Sequence, residues 1–196
     1  VVAADGVWEW TGANAAGFGD PLARDPQAVA RDVAHGALSA GDAERVYGVV
    51  LSQDGSPDES ATKILRARLL GDRLAQASVA NVERLDDEAP IRPLAGELAV
   101  ARLADGTEVF ATRTGRVVLG PTSADPKNGC AVLDRPIRDF APEYATIESR
   151  AGWTVRYREY LCPVTGLRVD SDILREGDEP LQTMSLSSRV LADDAD

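Results

Sequence analysis

The chain has 196 residues, room for one domain or two small ones, and a formal net charge of −11. That balance argues against nucleic acid, whose binders need a basic footprint, and against an anionic membrane surface. No apolar run approaches the ~18 residues of a membrane-spanning helix and no secretory signal is visible. Two cysteines, Cys130 and Cys162, are too few for a disulfide framework and fit a reducing cytoplasm.

Residues 7–11, Val-Trp-Glu-Trp-Thr, alternate like a short strand. A Gly/Ala-rich loop follows to Asp20-Pro21, without the Lys-Ser/Thr end of a phosphate loop or the spacing of a dinucleotide fingerprint. Asp25-Pro26 pairs an N-cap with a proline at the first helical position, and that helix stops at His35-Gly36. Ser39 caps a second helix over roughly 40–47, and 47–51 reads as a short buried strand. Residues 57–79 carry the longest helical pattern. Ile64, Leu65, Leu69, Leu70, Leu74 and Ala77 repeat at three- and four-residue spacing opposite Lys63, Arg66, Arg68, Asp72 and Arg73. Such a helix needs a docking surface, and Leu65 and Leu69 are candidate interface residues.

Gly17-Phe18-Gly19-Asp20-Pro21, Arg24-Asp25-Pro26, Val29-x-x-Asp32-Val33 and 46–51 (Val-Tyr-Gly-Val-Val-Leu) together resemble the C-terminal end of the hydantoinase B/oxoprolinase family. The resemblance covers roughly residues 10–70. It departs at 14–17, Asn-Ala-Ala-Gly, where the family carries a glycine run. It implies architecture and partners but brings no catalytic residues.

Residues 83–96 hold Asp86-Asp87-Glu88 and two prolines and read as an acidic linker. Beyond it the pattern turns to β: a strand over 97–102, a hairpin turn at 104–107, a return over 108–112, and a further strand over 116–119. Residues 122–150 are rich in turn formers and read as irregular. In 151–160, Trp153, Val155 and Tyr157 alternate with Thr154, Arg156 and Arg158, a strand signal. The aromatics here are read as core and interface, which adds Trp153 and Tyr157 to the interface candidates. Residues 175–196 read as a tail that docks through Leu181, Met184 and Leu186.

Cys162-Pro163-Val164-Thr165-Gly166 has the outline of a zinc knuckle, Cys-Pro-x-Cys-Gly, with Thr165 in place of the second cysteine. The stretch 111–115 has the same outline with Ala111 and Thr114 at the cysteine positions and Gly115 after them. A zinc ribbon needs four such ligands for a closed tetrahedral site, and here one thiolate survives. Cys130 and His35 are the other soft donors, with Asp134 and Asp170 as carboxylates to add; Cys130 and Cys162 are weak metal candidates. The second half also resembles the γ (small) subunit of acetone and acetophenone carboxylases, on 118–121 (Val-Leu-Gly-Pro), Pro126-Lys127-Asn128 and 158–167. The large subunits of those carboxylases fall in the hydantoinase A and B/oxoprolinase superfamily, so the two resemblances agree.

No catalytic set is found. The one histidine, His35, sits at a helix end. Cys162 as a nucleophile needs a basic neighbour, for which Arg158 and Arg168 are candidates, but its knuckle position favours an inert thiol. The expected fold is α+β: a helical segment with short strands (1–82), the acidic linker (83–96), a small antiparallel β module of degenerate zinc-ribbon type (97–187), and an acidic tail (188–196). The resemblances imply a non-catalytic small subunit of an ATP-dependent ketone carboxylase. Its partners would be large hydantoinase A/oxoprolinase-like and hydantoinase B-like subunits, with ATP and a divalent metal in those partners and no cofactor in this chain. The alternative is a part of a split hydantoinase/oxoprolinase-type cyclic amide hydrolase.

Overall fold

The computed structural model describes residues 19–78, 81–139 and 152–186. The expected strand at 7–11 and the acidic tail at 188–196 lie outside them. Three helices come first: α1 (Pro26–Ala34), α2 (Ala40–Tyr47) and α3 (Glu59–Gln76). Each begins where a short side-chain oxygen holds a free helix-end amide. Asp25 accepts from Gln27 N, Ser39 from Asp42 N and Asp58 from Ala61 N. The small core of this part is Val29, Ala43 and Val49, all fully buried.

Two expectations fail here. Residues 47–51 do not form a strand: Gly48 closes α2 in the left-handed conformation, and the Val50 amide donates to Thr62 Oγ1 on α3 at 3.0 Å. What remains is an isolated bridge between Leu51 and Pro57. A five-residue apolar run carries too little period to separate a strand from a buried loop. On α3, Thr62 and Leu65 face inward while Ile64 stays 71% exposed. Thr62 is chosen because its hydroxyl satisfies a loop amide, a need that a hydrophobic pattern does not display.

Two antiparallel sheets follow. The first runs in sequential order through β1 (Ile91–Ala95), β2 (Leu98–Arg102), β3 (Glu108–Thr112) and β4 (Val118–Pro121). The second runs through β5 (Ala131–Pro136), β6 (Val155–Leu161) and β7 (Arg168–Arg175). The α+β class expected from the sequence is the class observed. Leu98, Val100, Phe110 and Leu119 of the first sheet share a core with Cys130 and with Tyr160 of the second. Met184 and Leu186 pack on that core, and Leu186 N donates to Thr122 O at 2.7 Å. Leu181 does not dock by its side chain, which is 70% exposed.

The stretch 83–96 is not a free linker. Leu85 is buried with Ala101, Val109 and Ala111, and its amide donates to Arg116 O at 2.8 Å. β1 then forms the edge of the first sheet, the place where Pro93 is tolerated. The acidic residues Asp86, Asp87 and Glu88 are exposed, as their charge requires. β5 lies in the segment expected to be irregular. Its six residues are hemmed by turn formers, yet Ala131 and Leu133 bury against Leu74 of α3 and Ala77 at its C-cap. That packing is what gives the amphipathic helix its docking surface.

Candidate functional site

The loops at the ends of the β3–β4 and β6–β7 hairpins are built alike and meet. In the first, Arg116 N donates to Thr112 O at 3.0 Å and Thr112 N to Val117 O at 2.9 Å. In the second, Gly166 N donates to Cys162 O at 2.9 Å and Cys162 N to Leu167 O at 2.8 Å. Residue for residue, Thr112, Gly115 and Arg116 match Cys162, Thr165 and Gly166. The expected alignment, with Ala111 and Thr114 at the cysteine positions, is therefore one residue out. Ala111 faces away, into the core with Leu85, Ala101 and Val109. The position that resembles the knuckle glycine is Arg116, which adopts a positive φ of 49°. A search keyed on glycine passes over an arginine held in that conformation.

The two turns touch through side chains. Cys162 Sγ lies 3.4 Å from Thr112 Oγ1, which also accepts from Val117 N at 3.0 Å. Glu97, in the β1–β2 loop and 5% exposed, caps the first turn. Its carboxylate accepts from Thr114 N at 2.8 Å, from Thr114 Oγ1 at 2.9 Å and from Gly115 N at 3.4 Å. The second turn rests on α3: a Cβ on Gly166 would meet Leu70 O at 2.6 Å.

Asp20 ties the start of the described chain to this region. Its carboxylate accepts from Leu22 N, from Arg73 of α3 at 2.6 Å and from the backbone amide of Arg168 on β7 at 2.7 Å. The Arg168 side chain donates to Gly19 O and Tyr157 Oη and lies 3.8 Å from buried Glu159, which Arg135 also engages. A cleft of about 560 Å³ opens beside this joint, lined by Asp20, Arg24, Tyr47, Glu97, Arg113 and Arg168 among others. A second, of about 520 Å³, lies between the helices and the second sheet. Arg158 forks onto Asp134 with two bonds of 2.7 Å, which holds that carboxyl below its ordinary range.

A third joint was not visible in the sequence. Lys127, 6% exposed, donates to both oxygens of Asp172 at 3.0 and 2.9 Å and to Leu181 O at 2.7 Å, and lies over the Tyr160 ring. Tyr160 Oη bonds Asp172 at 3.0 Å; burial, then that neighbouring carboxylate, raises its phenol pKa. Lys127 entered the sequence reading as one letter of a resemblance, and its partner stands 45 positions away.

Of the remaining candidates, Cys130 and Cys162 lie close enough to interact electrostatically; both are free and buried, and their thiols bond different acceptors, Pro126 O and Thr112 Oγ1. Burial pushes the Cys130 thiol well up, which makes it inert. His35 is an exposed C-cap of α1. Asp134 and Asp170 are engaged by Arg158 and by Thr183 and Lys127. Among the interface candidates, Leu65 is buried within the chain. Leu69 and Tyr157 line the second cleft together with Val46 and exposed Ile173. Trp153, 40% exposed, lies under Arg175.

These features define a small α+β module whose buried charges are spent on joints between its own elements. No family model matches the chain. It is similar to the acetone carboxylase alpha subunit of Xanthobacter autotrophicus, at 35% identity over 161 residues. The match covers 80% of this chain and 18% of that subunit, so the chain spans less than a fifth of the relative's length. No helix among the described residues is long and apolar enough to cross a membrane.

Proposed function

We propose that the chain is a non-catalytic module of a multi-subunit, ATP-dependent ketone carboxylase, where it braces the large subunits that carry the chemistry. The similarity to the acetone carboxylase alpha subunit over four-fifths of the chain carries this reading. The use of the buried charges supports it: Asp20, Glu159, Lys127 and Asp172 each hold neighbours within the module. A catalytic acid or base needs freedom to exchange its proton with a substrate. In this reading the N-terminal part is of hydantoinase B C-terminal type and the second part a degenerate zinc ribbon. The matched turns at 112–117 and 162–167 support the latter. The partners are hydantoinase A- and B-like large subunits, which bind ATP and a divalent metal.

The docking face in this reading is the second cleft, where Leu69 and Tyr157 stand beside Ile173 of β7, 61% exposed. Co-expression with the neighbouring large subunits followed by size exclusion tests it. The chain is expected to co-elute with them, and Ile173→Asp to weaken co-elution while leaving thermal stability unchanged. A stable monomer indifferent to those subunits would refute the proposal.

A further inference from the structure

A pair of knuckle-like turns raises a metal ion as the agent that joins them, and the residues present do not fit one. Of the four matched positions, Thr112, Gly115, Cys162 and Thr165, one carries a thiol, one has no side chain and two carry neutral hydroxyls, poor ligands for zinc. The fourth position is also closed sterically. A Cβ on Gly115 would meet Cys162 Sγ at 2.4 Å, Thr112 Oγ1 at 3.1 Å and Thr165 Cγ2 at 3.3 Å. Gly115 does not have a positive φ, so its missing side chain is a matter of space. The Cys162 sulfur fills the volume into which a ligand at 115 would project.

We infer that the two turns are joined without metal, and that Glu97 is the positioning residue that replaces it. Three things support this. The carboxylate binds two successive amides and a hydroxyl of the first turn, a fixed set of donors of the kind an anion organises. The Glu97 backbone adds to the grip, accepting from Arg113 N at 2.7 Å. The turn so held presents Thr112 Oγ1 to the Cys162 thiol and closes the sulfur off completely, at 0% exposure. Loss of the carboxylate would leave the buried Gly115 amide and the part-buried Thr114 bonds unmatched and weaken the turn's hold on the β1–β2 loop.

Thiol labelling of the full chain reads this, with Cys130 as the comparison thiol because its sulfur bonds Pro126 O, not the turn that Glu97 holds. Glu97→Ala is expected to raise the labelling rate of Cys162 about tenfold or more relative to Cys130, the factor set by losing roughly one buried hydrogen bond. Glu97→Gln, which keeps one acceptor oxygen for the amides, should fall between that variant and the parent, and it serves if the alanine variant does not fold. Metal analysis of the parent should find no stoichiometric zinc, and a chelator should leave its melting temperature unchanged. Stoichiometric zinc, a chelator-dependent melt, or equal labelling of both cysteines in the Glu97 variants would overturn the inference. The carboxylase reading fails by a different measurement, co-elution, so the two outcomes are distinguishable.

Discussion

Replacing Lys127 by methionine removes a buried cation while keeping the apolar stem. The ammonium has two bonds to Asp172, one to Leu181 O and a place over the Tyr160 ring. After the change Asp172, 8% exposed, keeps only the Tyr160 hydroxyl from this set and must hold its charge without the ammonium. Breaking a buried pair from one side costs about 3–5 kcal/mol, because the partner's desolvation is no longer offset. For a chain of this size that is a fall of roughly 6–20 °C in melting temperature. The decisive measurement is a double-mutant cycle by urea unfolding of the full chain. Lys127→Met with Asp172→Asn removes both charges but leaves an acceptor for Tyr160, so it should recover about 2 kcal/mol or more of the single-variant loss. If Lys127→Met costs less than about 1 kcal/mol, or the two changes simply add, the joint is not the buried pair described here.

Asp134 provides a pH test. Its folded pKa is depressed by the Arg158 hydrogen bonds, so its contribution is complete above the unfolded value of about 3.9 and is lost as pH falls through the lower folded one. Asp134→Asn should therefore be less stable than the parent at pH 7, with the gap narrowing below about pH 4 in urea melts. Gly48→Ala puts a Cβ 2.9 Å from Arg66 Cγ and 3.1 Å from Leu22 Cδ2 at a φ of 61°, and should cost about 1–3 kcal/mol by chemical denaturation. Unfolding followed by helix circular dichroism and by Trp153 fluorescence, with Trp8 and Trp10 changed to Phe, should give coincident transitions. Two separate midpoints would show that the helices and the β module fold apart.

What the sequence disclosed was local. Capping residues, the turn at 104–107 and strand alternation depend on neighbours a few positions away, and α1, α2, α3, β2, β3 and β6 appear where they were expected. The failures share a different cause. Val50 prefers a hydroxyl 12 positions on, and β5 becomes a strand because α3 and β6 lie against it. The outline of the knuckles was legible, but their register was not. The left-handed position in the first turn is filled by Arg116, which donates to the carbonyls of Asp86 and Ala89. Asp20 with Arg168, and Lys127 with Asp172, are separated by 148 and 45 residues, and no periodicity reports such pairs.

The same long-range pairs bear on what kind of module this is. The two family resemblances divide the chain near residue 83, yet the contacts do not respect that division. α3 packs on β5, the Gly166 turn rests on the Leu70 carbonyl, and Asp20 binds both Arg73 and the amide of Arg168. A piece that merely tethered two subunits would gain nothing from such joints, since a flexible connection also raises effective concentration. Joints made of buried charge fix orientation, because a small rotation separates the charges and exposes their desolvation cost. The coupling of the helices to the paired turns is the property that the proposed bracing role needs and a tether does not.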